Sequence, residues 1–395
     1  MSIRIYERDA YVAEFEAAVT DADKEWIGLD ITAFYPGGGG QTNDTGKICG
    51  LDVTDVKANG DSILHKVPGH SLKKGDTVWC SVDWTRRYDL MKGHTAEHLF
   101  FGALKHEVPE INIVKIFISP ESKYVTVDRD VPWDVIKNAQ TSVNASIRDN
   151  LSVTKSTMSK DDADTDGVRM KTERIDGDLV TVVEIGDVDI AACSGIHVME
   201  TGEIGALFAD RKVSAGKDGY EIHFRVGDDA VIRSMELANV CLQTVEIIGS
   251  KTEDAVKAAQ NIKNDLAART EQLRSALLHI ISGLQPSAVN GTPVFSAVLP
   301  ANDRTVITNA AERIKNEGGV SVFLTIGDTL TAYMSSGMKS VDCAVILKDV
   351  MTKNSGKAGG KADFAQGGSP DASKANGIMK ELLRRVERSL EQKIN

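Results

Sequence analysis

The sequence has no run of about 18 apolar residues, which excludes a membrane-spanning helix. Its opening, Met1 to Asp9, is charged and lacks the apolar stretch of a signal peptide, so no export is expected. Cysteine is sparse and odd in number, five residues at 49, 80, 193, 241 and 343. Such a set makes no disulfide framework and suits a reducing compartment, so the cytoplasm is expected. A glycine- and lysine-rich segment, Gly356 to Gly368, expected as a loop ahead of the final helix, lacks the Gly-Lys-Ser/Thr ending of a P-loop, so no nucleoside triphosphate site is expected there. Positive charge is short overall. A net charge of -11 argues against wholesale coating of nucleic acid. The shortage is uneven, since Lys348 to the C-terminus holds ten Lys/Arg against six Asp/Glu. That end is where a phosphate backbone would find a partner.

What is present divides into four segments. At 395 residues the chain is long enough for several domains. Residues 1–85 carry short β-prone runs, 26–32, 46–53 and 77–83, between Gly, Asn and Asp turns, and a small β-barrel is expected. Residues 86–230 mix strands (123–128, 179–185) with amphipathic helices, one beginning near Asp83 or Thr85 and one opened by Pro132, as in an α+β domain. Residues 231–285 form a helical, coiled-coil-like arm broken at Gly249, where Ser250 to Glu253 has the form of a capping box. Ile262, Leu266, Leu273 and Leu277 suit either a second chain, giving a homodimer, or packing on the arm's own body. Residues 286–395 read as an α/β domain with strands at 293–299, 320–326 and 341–347 and a helix around 309–317.

Chemistry concentrates in two short segments. In Gly93-His94-Thr95-Ala96-Glu97-His98-Leu99 a helix would stack two imidazoles four residues apart on one face. Cys193-Ser194-Gly195-Ile196-His197 offers a thiol and an imidazole at the same spacing. Together they provide four ligands of the kinds zinc prefers. The glycine run Gly37 to Gly40, preceded by Phe34-Tyr35-Pro36 and followed by Gln41, suits backbone brought close to a ligand, and equally a surface loop.

Taken together, Phe34-Tyr35-Pro36, Gly38 to Gln41, Asp44, Asp83-Trp84, Arg87, Met91, the His94 segment and the Cys193 segment resemble, in order, the alanyl-tRNA editing proteins (AlaX family, long form) and the editing region of alanyl-tRNA synthetase. Gly359 to Gly368 is similar to the closing domain of that synthetase and of DHH-type phosphoesterases. Gly37 and Ala362 depart from the residues common there, Thr and Pro. The resemblance implies a Zn2+-dependent hydrolase that deacylates Ser-tRNA(Ala), and Gly-tRNA(Ala), in trans. It implies His94, His98, Cys193 and His197 as metal ligands, with Gly38, Gly39, Gly40 and Gln41 against the substrate amino acid. Gln41 and Thr95 are the expected catalytic positions. Lys357, Gly359, Gly360 and Lys361 are expected to meet tRNA(Ala) phosphates. The motifs begin near residue 30, so an aminoacylation domain ahead of them is not expected.

Two other readings of the same residues stay open. His94-x-x-Glu97-His98 fits the HxxEH zinc peptidase signature, with Glu97 as base and Glu173 or Glu184 as third ligand. A zinc-stabilised tRNA-binding protein without catalysis also accommodates the ligand set. Four protein ligands would close a zinc shell, as structural sites do, unless one of them, His197, exchanges.

Overall fold

A computed structural model describes residues 2–165, 167–170 and 177–391. The chain divides into two compact units, Met1–Thr244 and Val245–Asn395. Secondary structure is mixed α+β, and no helix among the described residues is long and apolar enough to cross a membrane.

The first unit begins with a nearly closed, barrel-like sheet of seven strands. Their order is Leu51–Val53, Gly46–Ile48, Thr77–Val82, Glu14–Ala22, Trp26–Leu29, Ser62–Lys66 and Asp55–Asn59. Every neighbouring pair is antiparallel. Alternation sets its inside: Val78, Cys80 and Val82 of one strand meet Phe15, Ala17 and Val19 of the next, around Ile27, Leu29, Phe34, Ile48 and Ile63. Cys80 is a core thiol whose burial pushes it up to about 12. Expected strand 46–53 is a hairpin, because Cys49 (φ 48°) and Gly50 (φ 80°) turn the chain between Ile48 and Leu51.

Asp83 caps helix α1 (Trp84–Glu107), its side chain accepting from the Arg86 backbone N–H at 3.2 Å. This helix is the spine of the unit, buried on most of its circumference, including Leu90, Met91, Leu99, Phe100 and Leu104. At Gly93 an added Cβ would lie 2.6 Å from Lys123 Cε and 3.2 Å from Ile118 Cγ2, so glycine there leaves room for the Lys123 side chain against α1. An antiparallel sheet (Ile113–Ile118, Lys123–Val127, Tyr220–Val226, Leu207–Ser214) and helix α2 (Trp133–Arg148) share its core. A three-stranded sheet (Val153–Ser159, Leu179–Ile185, Asp189–Ala192) with the short α3 (Lys160–Thr165) ends directly before Cys193.

One buried ion pair ties the glycine run to α1. Arg87 and Asp44 are both fully buried, and the Arg87 guanidinium donates to the Asp44 carboxylate and to the Ala10 and Ala33 carbonyls. Asp44 also accepts from the Tyr35 N–H at 2.6 Å. With all three guanidinium nitrogens and both carboxylate oxygens engaged, the pair locates residues 35–44 against the helix.

Helix α4 (Gly227–Ile248) ends at Gly249, as the sequence indicates. The capping box at Ser250 does not form. A 3-10 turn at Thr252–Asp254 intervenes, Ser250 Oγ donates to the Lys251 carbonyl, and α5 (Ala255–Ser282) starts after it.

The second unit is built on a six-stranded sheet in the order Ser287–Val289, Thr292–Leu299, Val320–Ile326, Leu330–Ser336, Phe364–Ser369, Lys357–Lys361. Only Thr292–Leu299 and Val320–Ile326 run parallel, joined through α6 (Arg304–Asn316). Leu277 and Ile281 of α5 pack with α6 in one core, while α7 (Cys343–Lys353) and α8 (Ala375–Glu391) contribute to another. Residues 341–347, expected as a strand, instead begin α7. Asp342 accepts from the Val345 N–H at 3.0 Å and nucleates a helix from an apolar run that fits either period.

Candidate metal centre

His94 and His98 lie one turn apart on α1, and the loop after strand Asp189–Ala192 brings Cys193 and His197 over them. The structure brings all four side chains into one cluster, their ligand atoms within 4.8 Å of one another. Cys193 Sγ is 3.6 Å from His94 Nε2 and 3.4 Å from His197 Nε2.

Each imidazole is held from behind through Nδ1. His94 Nδ1 lies 2.8 Å from Gln41 Oε1, His98 Nδ1 3.0 Å from an Asp189 oxygen and His197 Nδ1 3.1 Å from Thr95 Oγ1. Thr95 donates its own hydroxyl hydrogen to the Met91 carbonyl, so it accepts from His197. An amide oxygen and a carboxylate likewise only accept. All three rings therefore carry hydrogen on Nδ1 and turn Nε2 to the common centre, the arrangement that orients histidine toward a metal. Asp189 is fixed in turn by Arg169 Nη2 at 2.9 Å.

The loop closes this tightly because of Gly195. An added Cβ there would meet His94 Cε1 at 2.2 Å and Gln41 Oε1 at 2.9 Å. The Gly195 N–H donates to Cys193 Sγ at 3.3 Å.

Charge in the cluster favours a cation. Burial opposes ionising the Cys193 thiol, but the imidazoles of His94 and His197 outweigh it and hold it well below its ordinary range. Burial, reinforced by His94, drives His197 down to about 3. Burial also opposes protonating His98, yet the Asp189 carboxylate and the Cys193 sulfur reverse this and raise it to about 10. A place that draws a proton beside a thiolate suits a positive ion. The donor set, one sulfur and three imidazoles, matches the soft and borderline ligands of zinc-type sites.

The cluster borders a cavity of about 960 Å³, walled by Gly39, His94, Glu97, His98, Arg169 and Cys193 among others. That is within the range of small-ligand sites. The glycine run reaches it through Gly39. All four glycines have positive φ, from 61° at Gly39 to 150° at Gly38. A Cβ on Gly40 would lie 2.5 Å from the Ile116 carbonyl oxygen, whereas Gly39 has open space. The Gly38 N–H is taken up by the Gln41 carbonyl at 2.9 Å. The Gln41 oxygen serves His94 and, at 3.2 Å, the Ile196 N–H, while its Nε2 is buried without a partner. Thr95 is fully buried behind His197.

Other expected positions lie elsewhere. Lys357, Gly359, Gly360 and Lys361 are exposed on the edge strand of the second unit, in a β-hairpin rather than a loop. Lys357, Gly359 and Lys361 alternate onto one face of it. Glu184 is exposed and does not join the His94 cluster, and Glu173 falls outside the described residues. Asp189, Arg169 and Gly195 went unrecognised in the sequence. The rule that a ligating histidine needs an acceptor behind it calls for a carboxylate such as Asp189, but spacing cannot choose it among 57 acidic residues.

Three family models match: tRNA synthetases class II (A) over residues 7–86, the threonyl and alanyl tRNA synthetase second additional domain over 180–208, and the DHHA1 domain over 291–388. The alanine–tRNA ligase of Methanoregula boonei is 29% identical over 404 residues, covering 99% of this chain and 44% of the ligase. That of Methanospirillum hungatei is 30% identical, covering 93% of this chain and 42% of the ligase. The chain thus spans less than half the length of these ligases. The alanyl-tRNA editing protein AlaX-L of Pyrococcus horikoshii is 27% identical, with 92% of this chain and 94% of that protein covered. Over nearly its whole length the chain is thus similar to alanine–tRNA ligases and to the AlaX-L editing protein, with matches to the class II (A), second additional and DHHA1 domain models.

Proposed function

We propose that this protein is a zinc-dependent deacylase that hydrolyses the ester of tRNA(Ala) mischarged with serine, and with glycine. The observation that carries the reading is the cluster of four ligand atoms within 4.8 Å, each imidazole braced through Nδ1, opening on a cavity of small-ligand size. The similarity to AlaX-L supports the substrate class. A synthesis pocket rejects an added hydroxyl on an alanine-sized side chain by only about 100-fold, so a separate hydrolytic site has work to do.

Zinc held by His94, His98, Cys193 and His197 would supply a Lewis-acid charge beside the ester. The protein's own residues set the rest. Gln41 acts by holding His94 and the Cys193–His197 loop, and Thr95 by holding His197. His197 is braced as the other two histidines are, so the geometry does not single it out as an exchangeable ligand. Gly39 leaves the cavity wall bare beside His94, where the aminoacyl group would lie. Water adds to the carbonyl carbon, the carbon–oxygen bond to the ribose breaks, and the ribose oxygen leaves with a proton. Lys357 and Lys361 would meet tRNA phosphates, and Ile262, Leu266 and Leu273, exposed on α5, would meet a second copy. A substrate drawn from translation would put this activity in the cytoplasm.

The test is deacylation of Ser-tRNA(Ala), Gly-tRNA(Ala) and Ala-tRNA(Ala) side by side, with a peptide panel as control. The wild type should hydrolyse the mischarged species, spare Ala-tRNA(Ala) and leave peptides intact. Cys193→Ala should lose both metal and activity. A Cys193→Ala protein that loses its metal and keeps full activity would exclude a role for zinc.

A further inference from the structure

Glu97 is the one acidic side chain on the cavity face of α1 beside the metal-type cluster, and the deacylase reading gives it no role. It is fully buried, and neither carboxyl oxygen has a hydrogen-bond partner among the described residues. Helical spacing sets it with His94, three residues before, and Phe101, four after, and all three border the cavity. Arg169, on the same wall, does not satisfy it. Its Nη2 is engaged by Asp189, its guanidinium lies 5.1 Å from the centre of the Phe101 ring, and its Nε is itself buried and unpaired. Nor does Glu97 belong to the ligand cluster.

An unpaired buried carboxyl is costly unless a ligand completes it. Its surroundings define that ligand. A small ligand with N–H donors, carried next to a group attacked at the cluster, would satisfy both oxygens. An aminoacyl ester has such a group on the carbon adjacent to its carbonyl. We infer that Glu97 receives the α-ammonium of the aminoacyl moiety, whose three N–H donors match two free carboxyl oxygens. The inference rests on the deacylase reading and sharpens its substrate class: esters with a free α-amino group are accepted, and acylated or desamino esters are rejected. Aminoacyl-tRNA is thereby separated from peptidyl-tRNA.

The experiment compares kcat/KM for Ser-tRNA(Ala) and for tRNA(Ala) charged with 3-hydroxypropanoate, the same ester lacking only the α-amino group. Wild type, Glu97→Gln and Glu97→Ala are measured, each with its metal content. The ratio between enzymes cancels the intrinsic reactivity of the two esters. The wild type should favour the amino-bearing ester, and either substitution should shrink that preference by about 10- to 100-fold, mainly through KM, with metal content unchanged. An undiminished preference in both variants overturns the assignment. Loss of metal in both would make Glu97 a support of the cluster instead, and also overturns it. A wild type that hydrolyses neither ester brings down the deacylase reading, and this inference with it.

Discussion

Gly195 and His94 are in such close apposition that a methyl group on the glycine would lie 2.2 Å from Cε1 of the imidazole and 2.4 Å from Nδ1. No rotamer change of the new group relieves this, since a Cβ is fixed by the backbone. Gly195→Ala should therefore push the Cys193–His197 loop off α1, at a cost in stability of about 1–3 kcal/mol. The larger effect is on the site: metal bound per chain, read by atomic emission, should fall well below that of the wild type.

Asp189 reaches the cluster at one remove. It accepts from His98 Nδ1 and from Arg169, so Asp189→Asn weakens both contacts and unsettles the proton on Nδ1. Loss of such a partner behaves like a 10- to 100-fold loss of metal affinity. A chelator competition titration measures it directly, and an affinity within twofold of wild type would contradict the bracing role.

These two residues show the limit of what the sequence reveals. His94 and His98, and Cys193 and His197, are legible because each pair sits four residues apart and their residue types are those of zinc sites. Gly195, Asp189 and Arg169 act through close approach and through contacts closed by tertiary folding, which spacing does not encode. The fold divides the same way. Alternation around Val78 and Cys80 makes the barrel strand readable. The run Val341 to Leu347 reads as a strand until Asp342 is recognised as a cap, and strand Leu330–Ser336 goes unnoticed beside it. The glycine-rich residues 357–361 read as loop because glycine hides the pairing that the sheet imposes on them.

His65 makes the first unit sensitive to acid. It is buried in the barrel, with Nδ1 donating to the Ile27 carbonyl at 3.2 Å and Nε2 2.9 Å from Thr32 Oγ1. Burial lowers it to about 4, below the ~6.5 of an unfolded histidine. The unfolded chain thus binds the extra proton first. The contribution to stability is complete above pH ~6.5 and is lost at about 1.4 kcal/mol per pH unit as pH falls toward 4. All four tryptophans (26, 79, 84 and 133) lie in the first unit, so urea unfolding followed by tryptophan fluorescence reports on it. His65→Gln should flatten this slope by up to that amount relative to wild type.

Lys357 and Lys361 flank the bare Gly359 on one face of an edge strand, exposed to a polyanion. If they neutralise phosphates, Lys357→Ala with Lys361→Ala should weaken tRNA(Ala) binding and lower the slope of log affinity against log salt by about 2. Metal content should not change. A salt slope identical to wild type would assign the RNA contacts to another surface.

On the proposed function, a metal held by His94, His98, Cys193 and His197 is what enables this chain to hydrolyse mischarged tRNA(Ala). The most direct measurement is the rate of Ser-tRNA(Ala) deacylation by one protein sample before metal removal, after it, and after zinc is returned. The rate should fall to the uncatalysed level on stripping and recover with one equivalent of zinc. A rate unaffected by complete removal of the metal would contradict a role for zinc in the hydrolysis.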